Sequence, residues 1–136
     1  MRFKWVGLLC GLLVLAFGAV NCGAQQYQAP EGKYAVTQGN EKYELNLSRG
    51  HFRWEDASNA PGLILQDGSY QVNGNQIQFN VTRRTAEDVC AASERAFVYA
   101  WNFDGKALTL TTVQDPCARR SEILSGQAWN YLGTPE

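Results

Sequence analysis

The stretch Gly68-Ser69-Tyr70-Gln71-Val72-Asn73-Gly74-Asn75-Gln76-Ile77-Gln78-Phe79-Asn80-Val81, answered after a polar interruption by Arg95-Ala96-Phe97-Val98-Tyr99-Ala100-Trp101-Asn102-Phe103-Asp104-Gly105-Lys106-Ala107-Leu108-Thr109-Leu110-Thr111-Thr112-Val113, decides the fold. Apolar residues fall on every second position: Tyr70 and Val72, Ile77, Phe79 and Val81, Phe97 through Phe103, Leu108 and Leu110. A period of two is that of half-buried antiparallel strands. The breaks at Asn73-Gly74 and Asp104-Gly105 suit two-residue hairpins, because a type I′ turn demands positive φ at both central residues and Gly and Asn adopt it at least cost. Two consecutive hairpins follow.

The flanking sequence repeats the pattern. Tyr34 and Val36 alternate in a first strand, Gly39-Asn40 turns the chain, and Tyr43, Leu45 and Leu47 alternate in a second. Arg49-Gly50 makes another short turn before Phe52 and Trp54. Residues 57–67 break the rhythm with Asn59, Pro61 and Gly62 around Leu63-Ile64-Leu65, and read as a long loop whose apolar tip is a lid over the mouth, a partner-binding tip or a plug in the barrel end, the plug being expected because three adjacent apolar residues seldom stay exposed. In 83–94, Thr85 with Asp88 three residues on suggests a capped helical turn. Asp115-Pro116-Cys117 through Gly126 predicts a helix, with Asp115 as N-cap, Pro116 at the first helical position and Gly126 as the stop. A last strand carries Trp129 and Tyr131.

The strands are therefore expected at 32–37, 41–48, 51–56, 68–72, 75–82, 95–103, 106–113 and 127–132. Eight sequential strands close most simply into an all-β, antiparallel up-and-down barrel with one or two short helices in its crossovers, since closure removes both exposed edges. In such a meander the connections 57–67, 83–94 and 114–126 gather at one end and the tight turns at the other.

At 136 residues the chain holds one domain, and part of it reads as leader. Arg2 and Lys4 precede an apolar run from Trp5 to Val20 and a small-residue exit at Gly23-Ala24, the layout of a secretory signal peptide over 1–24. The alternatives are an uncleaved membrane anchor or lipidation at Cys22. A lead-in over 25–31, the barrel over 32–132 and a tail over 133–136 complete the division. Two of the 12 basic residues and none of the 13 acidic ones lie in the leader, so the mature chain carries a net charge of −3. Without a basic excess there is no case for nucleic acid as partner. Cys10 and Cys22 fall in the leader, and the remaining pair, Cys90 and Cys117, in neighbouring crossovers of an exported chain, reads as a disulfide. The expected location is secreted or periplasmic, with no membrane span in the mature chain.

Gly-Ser-Tyr-Gln-Val-Asn-Gly-Asn-Gln-Ile-Gln-Phe from Gly68, Tyr-Ala-Trp-Asn-Phe-Asp-Gly-Lys-Ala-Leu-Thr-Leu-Thr from Tyr99, and Asp115-Pro-Cys-Ala-Arg-Arg120 with Leu124 and Trp129 resemble the lipocalin-like secreted barrel domains of bacteria, calycin-like modules also found beside extracytoplasmic solute-binding modules. The resemblance spans about residues 32 to 132 and implies fold and compartment. Gly32-Lys33-Tyr34 stands where the wider superfamily has Gly-x-Trp.

Chemistry-bearing motifs are few. His51 is the single histidine, on the face opposite Phe52 and Trp54, without a partner base or nucleophile. Gly68-Ser69 lacks the second glycine of a nucleophile elbow. No cofactor or metal set is expected, and the chain reads as no enzyme. Asn46-Leu47-Ser48 and Asn80-Val81-Thr82 match the glycosylation sequon, both Asn facing outward. The inward rings Tyr43, Trp54, Tyr70, Phe79, Tyr99 and Trp101 form either a packed core or the wall of a cup, and at the loop-rich rim Arg119 or Arg120, the latter taken as the site residue, meets an anionic group on a ligand or else pairs with acidic neighbours at the surface. Two functions fit: a non-catalytic binding module for a small apolar or aromatic ligand, or an envelope protein-interaction or inhibitor domain that uses the disulfide-braced rim.

Overall fold

A computed structural model describes residues 30–135. The leader read over 1–24, with Cys10 and Cys22, and the lead-in before Pro30 lie outside the described residues. Strands β1 (Gly32–Gln38), β2 (Glu41–Ser48), β3 (His51–Asp56), β4 (Leu63–Asn73), β5 (Gln76–Arg84), β6 (Ala96–Phe103), β7 (Ala107–Gln114) and β8 (Trp129–Gly133) pair each with the next, and β8 returns to β1, giving a closed antiparallel barrel. Among the described residues there is one helix, α1 (Ala118–Ser125), in the last crossover. Among the described residues no helix is long and apolar enough to cross a membrane.

Alternation places the side chains as the period of two requires. Tyr34, Leu45, Leu47, Trp54, Ile77, Phe79, Tyr99, Leu108, Leu110 and Trp129 are each at most 1 % exposed, while Gln76, Gln78, Asn80 and Thr82 on β5 face out. The rings interlock rather than surround a space at mid-barrel. Phe79 and Phe97 stack at 4.8 Å, and Phe52 meets Phe79 edge-on at 5.1 Å. Such pairs contribute roughly 0.5–1.5 kcal/mol each beyond the area they bury.

Several details depart from the sequence reading, among them the β6–β7 connection, which takes three residues, Asp104–Lys106, and not the expected two. β4 begins at Leu63, so Leu63-Ile64-Leu65 is strand paired with β3 and not a loop tip. Strand alternation then splits the triplet, with Leu63 48 % exposed and Leu65 5 %. The β4–β5 turn sits at Gly74-Asn75, one residue later than expected, with Gly74 at φ 61° and Asn73 opposite Gln76. Residues 85–95 form no helix, because the Thr85 hydroxyl donates to the Ile64 carbonyl instead of capping its own segment. Finally, α1 starts later than predicted: Cys117 is its N-cap residue and no side chain caps it. Asp115 accepts from the Cys117 N–H and turns its carboxylate to a buried arginine.

Connections 57–62, 85–95 and 115–128 share one end, and the turns Arg49-Gly50, Gly74-Asn75 and Asp104–Lys106 share the other. Arg49 (φ 49°) and Gly50 (φ 80°) are both left-handed, as a type I′ turn needs. Cys90 and Cys117 are joined, with Cα atoms 5.5 Å apart, and the bridge ties the second and third long crossovers together.

Candidate functional site: two ends of one barrel

The loop-rich end is closed by a buried ionic network. Arg120 projects from α1 into the barrel mouth and is 0 % exposed. Its Nε and Nη2 donate to the two oxygens of Asp115 at 2.9 and 2.7 Å, the planar fork matched to a carboxylate. Nη1 donates to the Gln66 side-chain carbonyl at 3.2 Å and to the Glu94 backbone carbonyl at 3.0 Å. The guanidinium carbon lies 3.7 Å from the centre of the Phe97 ring, a cation–π contact on top of the aromatic stack. Tyr99 donates its hydroxyl to Asp115 at 2.5 Å, and burial together with that carboxylate pushes the Tyr99 phenol pKa far above its ordinary value.

Gln66 carries the network across the mouth. Its amide N–H donates to both oxygens of Asp88 at 3.0 and 2.9 Å, and Arg84 lies 3.3 Å from the same carboxylate. Asp88 accepts from the Cys90 N–H at 3.1 Å, as Asp115 does from the Cys117 N–H at 2.8 Å. Each half-cystine is thus preceded two residues earlier by an aspartate that holds its backbone, and the two aspartates are linked through Gln66 and Arg120. The spacing Asp88-Val89-Cys90 and Asp115-Pro116-Cys117 was the signal for this arrangement in the sequence. Gln66 carried no comparable signal.

Arg120 therefore has its anionic partner inside the chain. Arg119, its neighbour on α1, stays on the surface with Glu41 at 3.0 Å and Glu122 at 3.3 Å. The Glu94 carboxylate and the sulfurs of Cys90 and Cys117 lie within 4.8 Å of one another, but with the sulfurs joined the group offers one carboxylate and no thiolate to a metal.

The turn end is closed by rings. Tyr34, Phe103 and Tyr131 pack pairwise at 5.5–5.9 Å between centroids. Tyr34 donates to the Pro30 carbonyl at 2.8 Å, and burial, reinforced by the neighbouring Tyr131 and Tyr70 phenols, raises its pKa. Phe103 and Tyr131 themselves, with Val72 and Trp101, are only half-buried, and Leu132 on the last strand is 53 % exposed. Two buried donors have no acceptor here, the Tyr70 hydroxyl and the Trp101 indole N–H. The Gly50 amide lies close enough to the Tyr70 oxygen to favour its anion, against the larger effect of burial, which raises that pKa. At the other end the buried Trp54 N–H and one Arg84 N–H also lack partners, but Trp54 is 1 % exposed and fully enclosed.

The seven residues proposed from sequence to line one ligand site thus divide. Tyr43, Trp54, Tyr99 and Arg120 lie toward the loop end, Phe79 is in the central stack, and Tyr70 and Trp101 lie toward the turns. Tyr43 directs its hydroxyl to Glu41 at 2.8 Å. His51 is exposed on the outer face, as alternation predicts. No protein-family model, no curated protein and no solved structure matches the chain.

Proposed function

We propose that the protein is an exported, non-catalytic binding module for a small apolar or aromatic ligand, admitted at the turn end of the barrel. One observation carries the reading. Among the described residues, two buried donors without acceptors, Tyr70 OH and Trp101 Nε1, lie at the end of the barrel that also carries the half-buried Val72, Phe103 and Tyr131. An unmet buried donor costs about 1–3 kcal/mol, which a ligand acceptor recovers. Ionic closure of the opposite end supports the choice, because entry there would require Arg120 to leave Asp115. The cystine supports a secreted or periplasmic location, as does the resemblance to bacterial lipocalin-like barrels.

Native mass spectrometry of the protein purified from its own host tests the proposal by the mass of a retained small molecule. In parallel, benzophenone, two rings and one carbonyl acceptor, is expected to quench tryptophan fluorescence saturably in the wild type and weakly in Trp101→Phe. Absence of both a retained mass and a Trp101-dependent quench refutes it.

A second reading has its own observation. Leu63, Val89 and Val113, exposed by 48, 54 and 51 %, all belong to segments that converge on the braced loop end. They support a protein-docking rim for another envelope protein. Loss of a co-purifying protein in Leu63→Asp and Val113→Asp, with ligand retention intact, would favour docking over ligand capture.

A further inference from the structure

The outer face of β2–β5 carries a groove of about 350 Å³, within the range of small-ligand sites. It exists because the sheet bends there. β3 and β4 lose register between Trp54 and Glu55, and β4 and β5 between Asp67 and Gly68, where the backbone of Asn80 comes so near that a Cβ at Gly68 would collide with its carbonyl. Two cross-strand rows bound the groove: Asn46, Arg53 and Asp67 in one, Ser48 and His51 in the other. A second recess of about 260 Å³ adjoins it through Asn46 and Arg53.

The polar groups of the groove are unevenly committed. Asp67 is taken up by Arg83, whose Nε donates to it at 2.9 Å. Arg53, half exposed, has one ion pair, with Glu55 at 3.9 Å, the outer limit of such contact. The Asn46 side-chain carbonyl is buried and receives no hydrogen bond. A guanidinium, an imidazole and a serine hydroxyl therefore face the groove as donors, beside one buried acceptor in need of a donor.

We infer that this groove is a second, polar binding site, for a small hydroxy-carboxylate of the sugar-acid class. The carboxylate would meet the Arg53 fork with support from His51 and Ser48, and an adjacent hydroxyl would donate to Asn46. Both halves of the ligand are specified by charge and hydrogen-bond complementarity, and the site is independent of the turn-end reading.

The test is an amide NMR titration of the intact mature protein with glucuronate, using glucose and inorganic phosphate as the neutral and the hydroxyl-poor probes. Saturable shifts at Asn46, Ser48 and Arg53 with glucuronate are expected, with a dissociation constant in the millimolar range or below, on the order of 1–10 mM. Glucose should leave these amides unmoved and phosphate should bind more weakly. Arg53→Gln is expected to weaken glucuronate binding about tenfold or more, as loss of a charge-assisted pair does, and Arg53→Lys, which keeps the charge without the fork, to weaken it less. Asn46→Ala should erase the preference for glucuronate over phosphate. No saturable shift from glucuronate, glucose binding as tightly as glucuronate, or phosphate matching glucuronate in the wild type would each overturn the inference.

Discussion

The two ends of this barrel are closed by opposite means. At the loop-rich end a buried guanidinium, two aspartates and a glutamine lie across the mouth and are tied to a cystine. At the end with the plain turns, three tyrosine and phenylalanine rings and their half-buried neighbours cover the opening; each end leaves two buried donors unanswered among the described residues, Tyr70 and Trp101 here, Trp54 and Arg84 at the other. Elaborate loops suggest an entrance, yet here they build the tighter seal. Parting a buried ion pair while its charges stay enclosed strands each without a partner, whereas rings can part without stranding a charge.

The sharpest way to break this contrast is to remove one half of the buried pair. Asp115→Ala leaves the Arg120 charge enclosed without its carboxylate and should cost on the order of 3–5 kcal/mol in urea unfolding. Arg120→Met also strands Asp115 and should destabilise clearly. The double variant Asp115→Ala with Arg120→Met removes both charges and is expected to recover much of the loss. If the two single variants each cost under about 1 kcal/mol, the seal is not held by charge and the contrast fails.

Next in size comes the cystine. Cys90→Ser with Cys117→Ser releases a loop whose ends are 27 residues apart and should lower stability by about 3.5 kcal/mol on the chain-entropy account. The thermal midpoint should fall accordingly. The Asp88 and Asp115 bonds to the two backbone N–H groups come from the same loops, so the expected order places this loss near or just below that of Asp115→Ala.

The fold was legible because alternation is a local property. Tyr70, Val72, Ile77, Phe79, Phe97 and Tyr99 announce their face through immediate neighbours, and Arg49-Gly50 announces its turn through backbone chemistry. The disulfide was legible too, by compartment and by count. What the sequence hid were the partnerships of polar residues distant along the chain. Gln66 lies 54 residues from Arg120 and 22 from Asp88, and no local pattern marks an amide that bridges them. Asp115 looked like a helix cap because its spacing to α1 suits one, but a buried arginine outcompeted the helix N–H groups for its oxygens. Thr85 was misread for the same reason, its hydroxyl going to Ile64 across the sheet.

A third test uses the buried phenols, one from each end. Tyr99 at the loop end and Tyr34 at the turn end both have pKa values raised by burial, so the fold favours their neutral forms. A group whose folded pKa is raised stabilises fully below its unfolded value, about 10 for tyrosine, and loses that contribution as pH climbs above it. Tyrosinate absorbance should therefore show these two phenols ionising together with alkaline unfolding, not before it. Early ionisation of Tyr34 alone would mean that the rings at the turn end admit solvent even without a ligand.

The smallest expected effect is the most discriminating. Tyr99→Phe deletes a hydroxyl that donates to a buried carboxylate and should cost about 1–3 kcal/mol. Tyr70→Phe deletes a hydroxyl with no acceptor and should raise stability, at most by the cost of that unmet donor, since a buried donor without a partner is better absent. Measured by urea unfolding of ligand-free protein, the pair separates a closed end from an open one. The turn-end reading adds a sign reversal. With ligand bound, Tyr70→Phe should lose stability relative to wild type, because only the wild-type hydroxyl can donate to the acceptor that the ligand brings.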